Sequence, residues 1–295
     1  MLVDSHCHLD QIDLSQKEGG LASVIADAKS RGVQRILSVA VDIKSSIYLS
    51  ELSQSYSCLM TSVGVHPLHK SDDSLVSVDD LVSLTELPGV VAIGETGLDK
   101  FYSSATFEWQ RESFINHLQA SDISGKPVII HSRDAVDETL ELLAEFKPSP
   151  RGVIHCFTES WEMAEAAIEL GFYISFSGII TFNNASDLRV VASKIPLDRL
   201  LIETDSPWLT PAPHRGKNNE PKYVLEVAQC LANLHGIPLE ELAETVDGTP
   251  DPCDPGKSNP DDEDEVSDDE DLRVPTPFTQ RLVVPKKMAR TKEKQ

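Results

Sequence analysis

Eight short apolar runs, each followed by an amphipathic stretch, fill the first 245 residues, and most of the runs end on a polar residue able to bind a metal. The candidate strands are Leu2–His8, Arg35–Ala40, Met60–His66, Val90–Glu95, Pro127–His131, Gly152–His155, Phe172–Phe176 and Leu200–Asp205. Helical patterns lie between them, near 20–31, 44–55, 75–86, 105–124, 134–146, 160–170, 184–194 and 220–235. Eight strand–helix repeats in this length is the count of a (β/α)₈ TIM barrel. A doubly wound open sheet alternates the same way, so the count alone does not decide. The polar residues do. His6 and His8, His66, Glu95, His131, His155 and Asp205 all sit at the C-terminal side of their runs. Barrel active sites are assembled at that rim from several strand ends, and only a closed barrel brings the first and last strands together.

Along the first strand, side chains alternate, so His6 and His8 share one face and Cys7 takes the other. Asp4 falls on the histidine face by the same count and is a candidate partner for a ligand histidine. Taken alone, H-x-H is a weak signal. It gains weight because Glu95, His131, His155 and Asp205 reach the same rim. Four imidazoles and two carboxylates exceed the ligand set of one catalytic zinc ion. Two divalent cations are therefore expected, with Glu95 bridging them about 3.5–4 Å apart. The mixed nitrogen and oxygen set suits zinc or manganese and accommodates magnesium less well.

Composition narrows the class of partner. The formal net charge of −22 argues against a protein that grips nucleic acid by broad phosphate neutralisation. Any nucleic-acid substrate must be held locally and transiently. No apolar run approaches a membrane span, and the N-terminal residues carry no export pattern. The five cysteines are an odd number without a C-x-x-C pair, which suggests neither a disulfide framework nor a cysteine metal site. A cytoplasmic enzyme with no membrane association and no obligate protein partner is expected. From residue 246 to 295 apolar residues thin out, with an acidic run over 261–271 and a basic end over 286–294. That low-complexity charged tail is expected to be disordered and without a catalytic task.

Several segments together resemble the TatD-type metal-dependent deoxyribonucleases, which lie within the amidohydrolase-like barrels. They are D-S-H-C-H-L-D (4–10), G-V-H-P (64–67), G-E-T-G-L-D (94–99), P-V-I-I-H-S-R-D-A (127–135) and G-V-I-H-C-F-T (152–158). Y-I-S-F-S-G-I-I-T-F (173–182), L-L-I-E-T-D-S-P-W-L (200–209) and H-R-G-K-N-N-E-P (214–221) complete the set. They follow in family order and spacing over residues 1–245, with a particular likeness to the bacterial YcfH-like branch. The resemblance implies a (β/α)₈ barrel and two metal ions. His6, His8, Glu95 and Asp205 would hold one; Glu95, His131 and His155 would hold the other. It also implies hydrolysis of phosphodiester bonds in DNA, with Glu95 standing where other amidohydrolases use a modified lysine. The chain departs from the family after Glu244: Thr245-Val246-Asp247-Gly248-Thr249-Pro250 replaces a T-T-x-N-x-x-x-L-F-type ending. A melting temperature below that of a chain with the family ending restored is expected.

Roles follow for individual residues. Asp205 and Glu95 are the candidate catalytic pair: Asp205 accepts the proton of the attacking water and returns it to the leaving group. Glu203, on the face of Asp205 and one step deeper, would orient a ligand histidine. His66, Arg133 and Arg215 are the candidate phosphate contacts, with Arg133 two residues past His131 on the same face. His69 and Trp208 are weaker candidates; Trp208 could stack a base or pack under the rim. The rival reading keeps the site and changes the bond, to an amide or ester in a small molecule or acylated nucleotide.

Overall fold

The computed structural model describes residues 1–69, 75–149 and 151–247. Eight parallel strands follow one another around a single sheet in sequence order. They are β1 (Leu2–Cys7), β2 (Val33–Ser38), β3 (Leu59–Val63), β4 (Val90–Asp99), β5 (Val128–Arg133), β6 (Val153–Ile154), β7 (Tyr173–Phe176) and β8 (Leu200–Ile202). The helices are α1 (Gly20–Ser30), α2 (Ile43–Ser53), α3 (Val78–Leu84), α4 (Lys100–Ser103), α5 (Phe107–Ser124), α6 (Val136–Phe146), α7 (Trp161–Glu169), α8 (Ser186–Ala192), α9 (Val224–His235) and α10 (Leu239–Asp247). This is the expected (β/α)₈ barrel. Among the described residues no helix is long and apolar enough to cross a membrane.

Polar side chains start several helices where the sequence supplies them. Asp42 and Ser45 form a reciprocal capping box at α2, and Ser77 and Ser160 cap α3 and α7. Gly125 and Gly236 end α5 and α9 in left-handed conformations.

Two apolar layers position the site. Leu2, Ile36, Leu59, Ile130, Ile154, Leu200 and Ile202 pack outward against the helices. Val3, Leu37, Met60, Ala92, Ile129, Val153 and Leu201 form a separate cluster drawn from nearly every strand, an arrangement possible only inside the barrel. Counting by twos from this lumen layer leads from Ile129 to His131 and Arg133, from Val153 to His155, and from Leu201 to Glu203 and Asp205. The apolar lumen is thus the floor on which the polar rim stands.

The barrel closes between β1 and β8 at that rim, where Asp205 N–H donates to His6 O (2.9 Å) and His8 N–H to Ser206 O (2.7 Å). α10 runs through Val246 and Asp247, two residues beyond the expected boundary at 245. The reason is apolar: Val246 is buried with Leu242 and Ala243 in the helix layer. The rest of the expected tail, 248–295, lies outside the described residues.

Candidate metal centre

Glu95 is the hub. Its Oε1 lies 2.7 Å from His155 Nε2, 3.1 Å from His131 Nδ1 and 3.2 Å from His66 Nε2. Its Oε2 faces the other way, 3.4 Å from His6 Nε2 and 3.8 Å from His8 Nε2. Asp205 Oδ1 completes that second group, 3.4 Å from His8 Nε2 and 3.8 Å from His6 Nε2. Burial alone would push the Glu95 carboxyl up, but the ring of histidines led by His155 and His66 holds it well below the usual carboxylate range. Asp205 is likewise held low, its burial outweighed by His8 and His6. Both are carboxylates.

The residues fit a metal. His6 Nδ1, His155 Nδ1 and His155 Nε2 are buried without an aligned hydrogen bond, a costly state unless another partner takes their lone pairs. His155 Nε2 approaches Glu95 Oε1 closely but not along a hydrogen-bond direction. His6 Nε2 and His8 Nε2 stand 3.1 Å apart, both deeply buried. Burial and the neighbouring His155 lower the pKa of His6, favouring the neutral ligand form. For His8, Nδ1 lies 2.9 Å from Val39 O. Donation of that N–H fixes the tautomer and leaves the Nε2 lone pair directed at Asp205 and Glu95. Among the described residues the donor atoms fall into three groups: His6, His155 and Glu203; His6, His8 and Asp205; and His66, Glu95 and His131, the first two sharing His6.

Outside this ring, carboxylates steady the imidazoles. Glu203 Oε1 is 3.4 Å from His155 Nδ1 and accepts Cys156 N–H, while Oε2 accepts Ser175 Oγ–H at 2.6 Å. Glu203, expected to orient a ligand histidine, also falls in one group of donor atoms with His6 and His155. Asp99, which sequence reasoning missed, places Oδ2 3.0 Å from His131 Nε2. The expected strand stopped at Glu95, whereas β4 runs on to Asp99; extending the alternation Glu95–Gly97–Asp99 would have found it. Gly97 allows the close packing there: at φ 137° a Cβ would lie 2.0 Å from His131 O.

Asp4 departs from expectation. The β1–β2 register shifts between Asp4 and Cys7, so Asp4 does not share the face of His6. Its carboxylate accepts Thr204 N–H (2.8 Å) and Thr204 Oγ1–H (2.6 Å), tying β1 to the segment after β8. His66, expected as a phosphate contact, stands in the cluster around Glu95, its Nε2 3.2 Å from Glu95 Oε1. Arg215 is engaged within its own loop, donating to Thr210 O and resting 3.8 Å over Phe182. His214 of the same loop packs on Tyr223 and contacts Glu226. Arg133 does end β5 on the face of His131, its guanidinium 5.1 Å from the Phe101 ring centroid. The rings of His69 and Trp208 stand edge-on to His66 and His8 respectively.

Known proteins share this framework. Residues 3–249 match the family of TatD related DNases. The uncharacterized metal-dependent hydrolase YcfH of Escherichia coli K12 is 48% identical over 246 residues, 83% of this chain and 92% of that protein. The uncharacterized metal-dependent hydrolase YabD of Bacillus subtilis is 39% identical over 82% of this chain and 94% of that protein. The crystal structure of YjjV, a TatD homologue from Escherichia coli K12, superposes with a TM-score of 0.76. It is 32% identical and covers 83% of this chain and 94% of that one. This chain belongs to the TatD family.

Proposed function

We propose that this TatD-family metal-dependent hydrolase cleaves phosphodiester bonds, acting as a deoxyribonuclease with two divalent cations. One observation carries the reading: the two oxygens of Glu95 face different imidazoles, His155, His131 and His66 at Oε1 and His6 and His8 at Oε2. A carboxylate so placed would suit two divalent cations, and the nitrogen and oxygen donor set would accept zinc, manganese or magnesium. Cations bound there would lower the pKa of water and neutralise charge on phosphoryl oxygens.

The chain's own groups do the rest. His6 and His8 with Asp205 would hold one ion and His131 and His155 the other, with His66 offering a donor on the Oε1 side of Glu95. Glu203 and Asp99 fix the rings of His155 and His131, and Val39 O fixes His8. Asp205 is ionised and partly open to solvent, so its carboxylate is placed to take the proton of the attacking water. As the new P–O bond forms and the ester P–O bond breaks, that proton passes to the leaving oxygen. Arg133 supplies a guanidinium for a phosphate oxygen beyond the cluster. DNA or a related phosphodiester is a transient substrate, held locally by an otherwise acidic protein.

The test is metal-reconstituted protein offered single-stranded DNA, duplex DNA and a small phosphodiester reporter beside amide and ester panels. Phosphodiester turnover that a chelator abolishes is the expected result. Turnover confined to amides or carboxylic esters would overturn it.

A further inference from the structure

We propose that Phe101 and Trp208 are base-stacking platforms that grip the nucleotides on either side of the scissile phosphate. This deepens the phosphodiesterase reading and rests on it. Both rings stand in water, Phe101 56% and Trp208 52% exposed. Single exposed aromatics are ordinary; their placement is what sets these apart. Phe101 follows Asp99, whose carboxylate contacts His131, and the Trp208 ring lies 5.3 Å edge-on from His8. In an eight-stranded barrel of order β1 to β8, the β4–β5 side lies opposite the β8–β1 side. The two rings therefore lie on opposite sides of the mouth, Trp208 beside His8 and Phe101 beside Arg133.

The surroundings favour a nucleobase next to a phosphate. Arg133 sits over Phe101 at 5.1 Å and, two residues beyond His131, lies about 7 Å along the strand from it. A cation beside an aromatic face suits a base with its phosphate. Tyr102, 70% exposed and edge-on to Phe101 at 4.7 Å, widens that platform. Charge gives a second reason. With a net charge of −22 the protein cannot rely on a basic field, whereas stacking needs none. Bases paired in a duplex cannot reach either ring, so unpaired strands are preferred.

The experiment compares metal-loaded protein binding a labelled oligothymidylate and an abasic strand of the same length, both with phosphorothioate backbones. Fluorescence anisotropy reads affinity, and cleavage of the natural-backbone strands and the small reporter is followed in parallel. The wild type is expected to prefer the base-bearing strand about 100-fold, one stacked base per platform. Phe101→Ser and Trp208→Ser should each cut that preference about tenfold, while Phe101→Tyr and Trp208→Phe keep it; thermal melting checks that each variant is folded. Equal affinity for both strands, or serine variants with the full preference, would overturn the platforms. If strands are cut with no preference for bases, the platforms fall and the phosphodiesterase reading stands. If neither strand nor the reporter is cut, both fall.

Discussion

The centre is built from two halves held by different physics. On the β4–β5 side, Glu95, His131 and Asp99 stand on strands joined by a long ladder whose register runs from Ile93↔Val128 to Asp99↔Arg133. On the β8–β1 side, His6, His8 and Asp205 stand where the rim bonds Asp205 N–H to His6 O and His8 N–H to Ser206 O join the ends. Side chains do much of the joining there. Asp4 binds Thr204, Ser5 Oγ–H donates to Ile202 O, and outside the barrel Arg31 pairs with Glu226 and Lys17 with Glu220. A continuous backbone ladder sets one half; a few rim bonds reinforced by side chains set the other. Glu95 is the residue common to both, so the first way to break the comparison is to remove it.

Glu95→Ala should lower hydrolysis at least about 1,000-fold and reduce bound metal at both positions, with far-UV circular dichroism unchanged. Asp205→Asn should cost similar activity but lose metal on the seam side alone, and Asp99→Asn should weaken metal binding about 10–100-fold on the other side. Metal stoichiometry after equilibrium dialysis separates these outcomes. Equal loss of both ions in Asp205→Asn would show one fused site and not two halves.

The seam should be the more fragile half in stability. Asp4→Ala leaves the buried Thr204 N–H and hydroxyl without their acceptor, which should cost roughly 3–4 kcal/mol in urea unfolding. Asp4→Asn, keeping one acceptor oxygen, should recover part of this. A loss under about 1 kcal/mol for Asp4→Ala would remove the seam's dependence on side chains.

The strand half carries a different sensitivity. His117 is fully buried in α5, accepting Val65 N–H at Nε2, just before His66, and donating Nδ1–H to Ser113 O. Burial lowers its pKa to about 4. The unfolded chain takes up a proton near pH 6.5 while the folded chain does not until near 4. Stability is thus lost as pH falls from about 6.5 to 4, by up to about 3 kcal/mol, and no further below. His117→Gln should flatten this slope relative to the wild type, measured by urea midpoints at pH 7 and pH 4.5. Parallel slopes would assign the acid sensitivity elsewhere.

The barrel and its rim were legible because period-two alternation holds through β5, β6 and β8, carrying Ile129 to His131 and Leu201 to Asp205 without interruption. It fails where the register slips. A shift between Ile93 and Thr96 in β4 brings Glu95 inward, although simple alternation from Ala92 would send it out. The slip between Asp4 and Cys7 in β1 turns Asp4 away from the histidines. Asp99 was missed because the expected strand ended at Glu95, four residues short of the end of β4. The partners of Arg215, Thr210 O and Phe182, are visible only once the loop after β8 is folded.

The smallest expected effect tests how far the seam's strength lies outside the barrel. Arg31 Nη1 and Nη2 donate to Glu226 Oε2 and Oε1 at 3.3 and 3.0 Å, joining α1 to α9 across the seam. The geometry is bidentate, but Arg31 is nearly one-third exposed, so water and salt screen most of the attraction. Glu226 also keeps His214 Nε2 at 2.7 Å when the arginine is gone. Arg31→Ala should therefore cost about 0.5 kcal/mol at low ionic strength, a deficit that fades in roughly 1 M salt, where the Debye length is about 3 Å. If Arg31→Ala instead costs as much as Asp4→Ala, and does so in high salt, the seam is clamped from the helical layer. The rim bonds between β1 and β8 would then be a consequence of closure and not its cause.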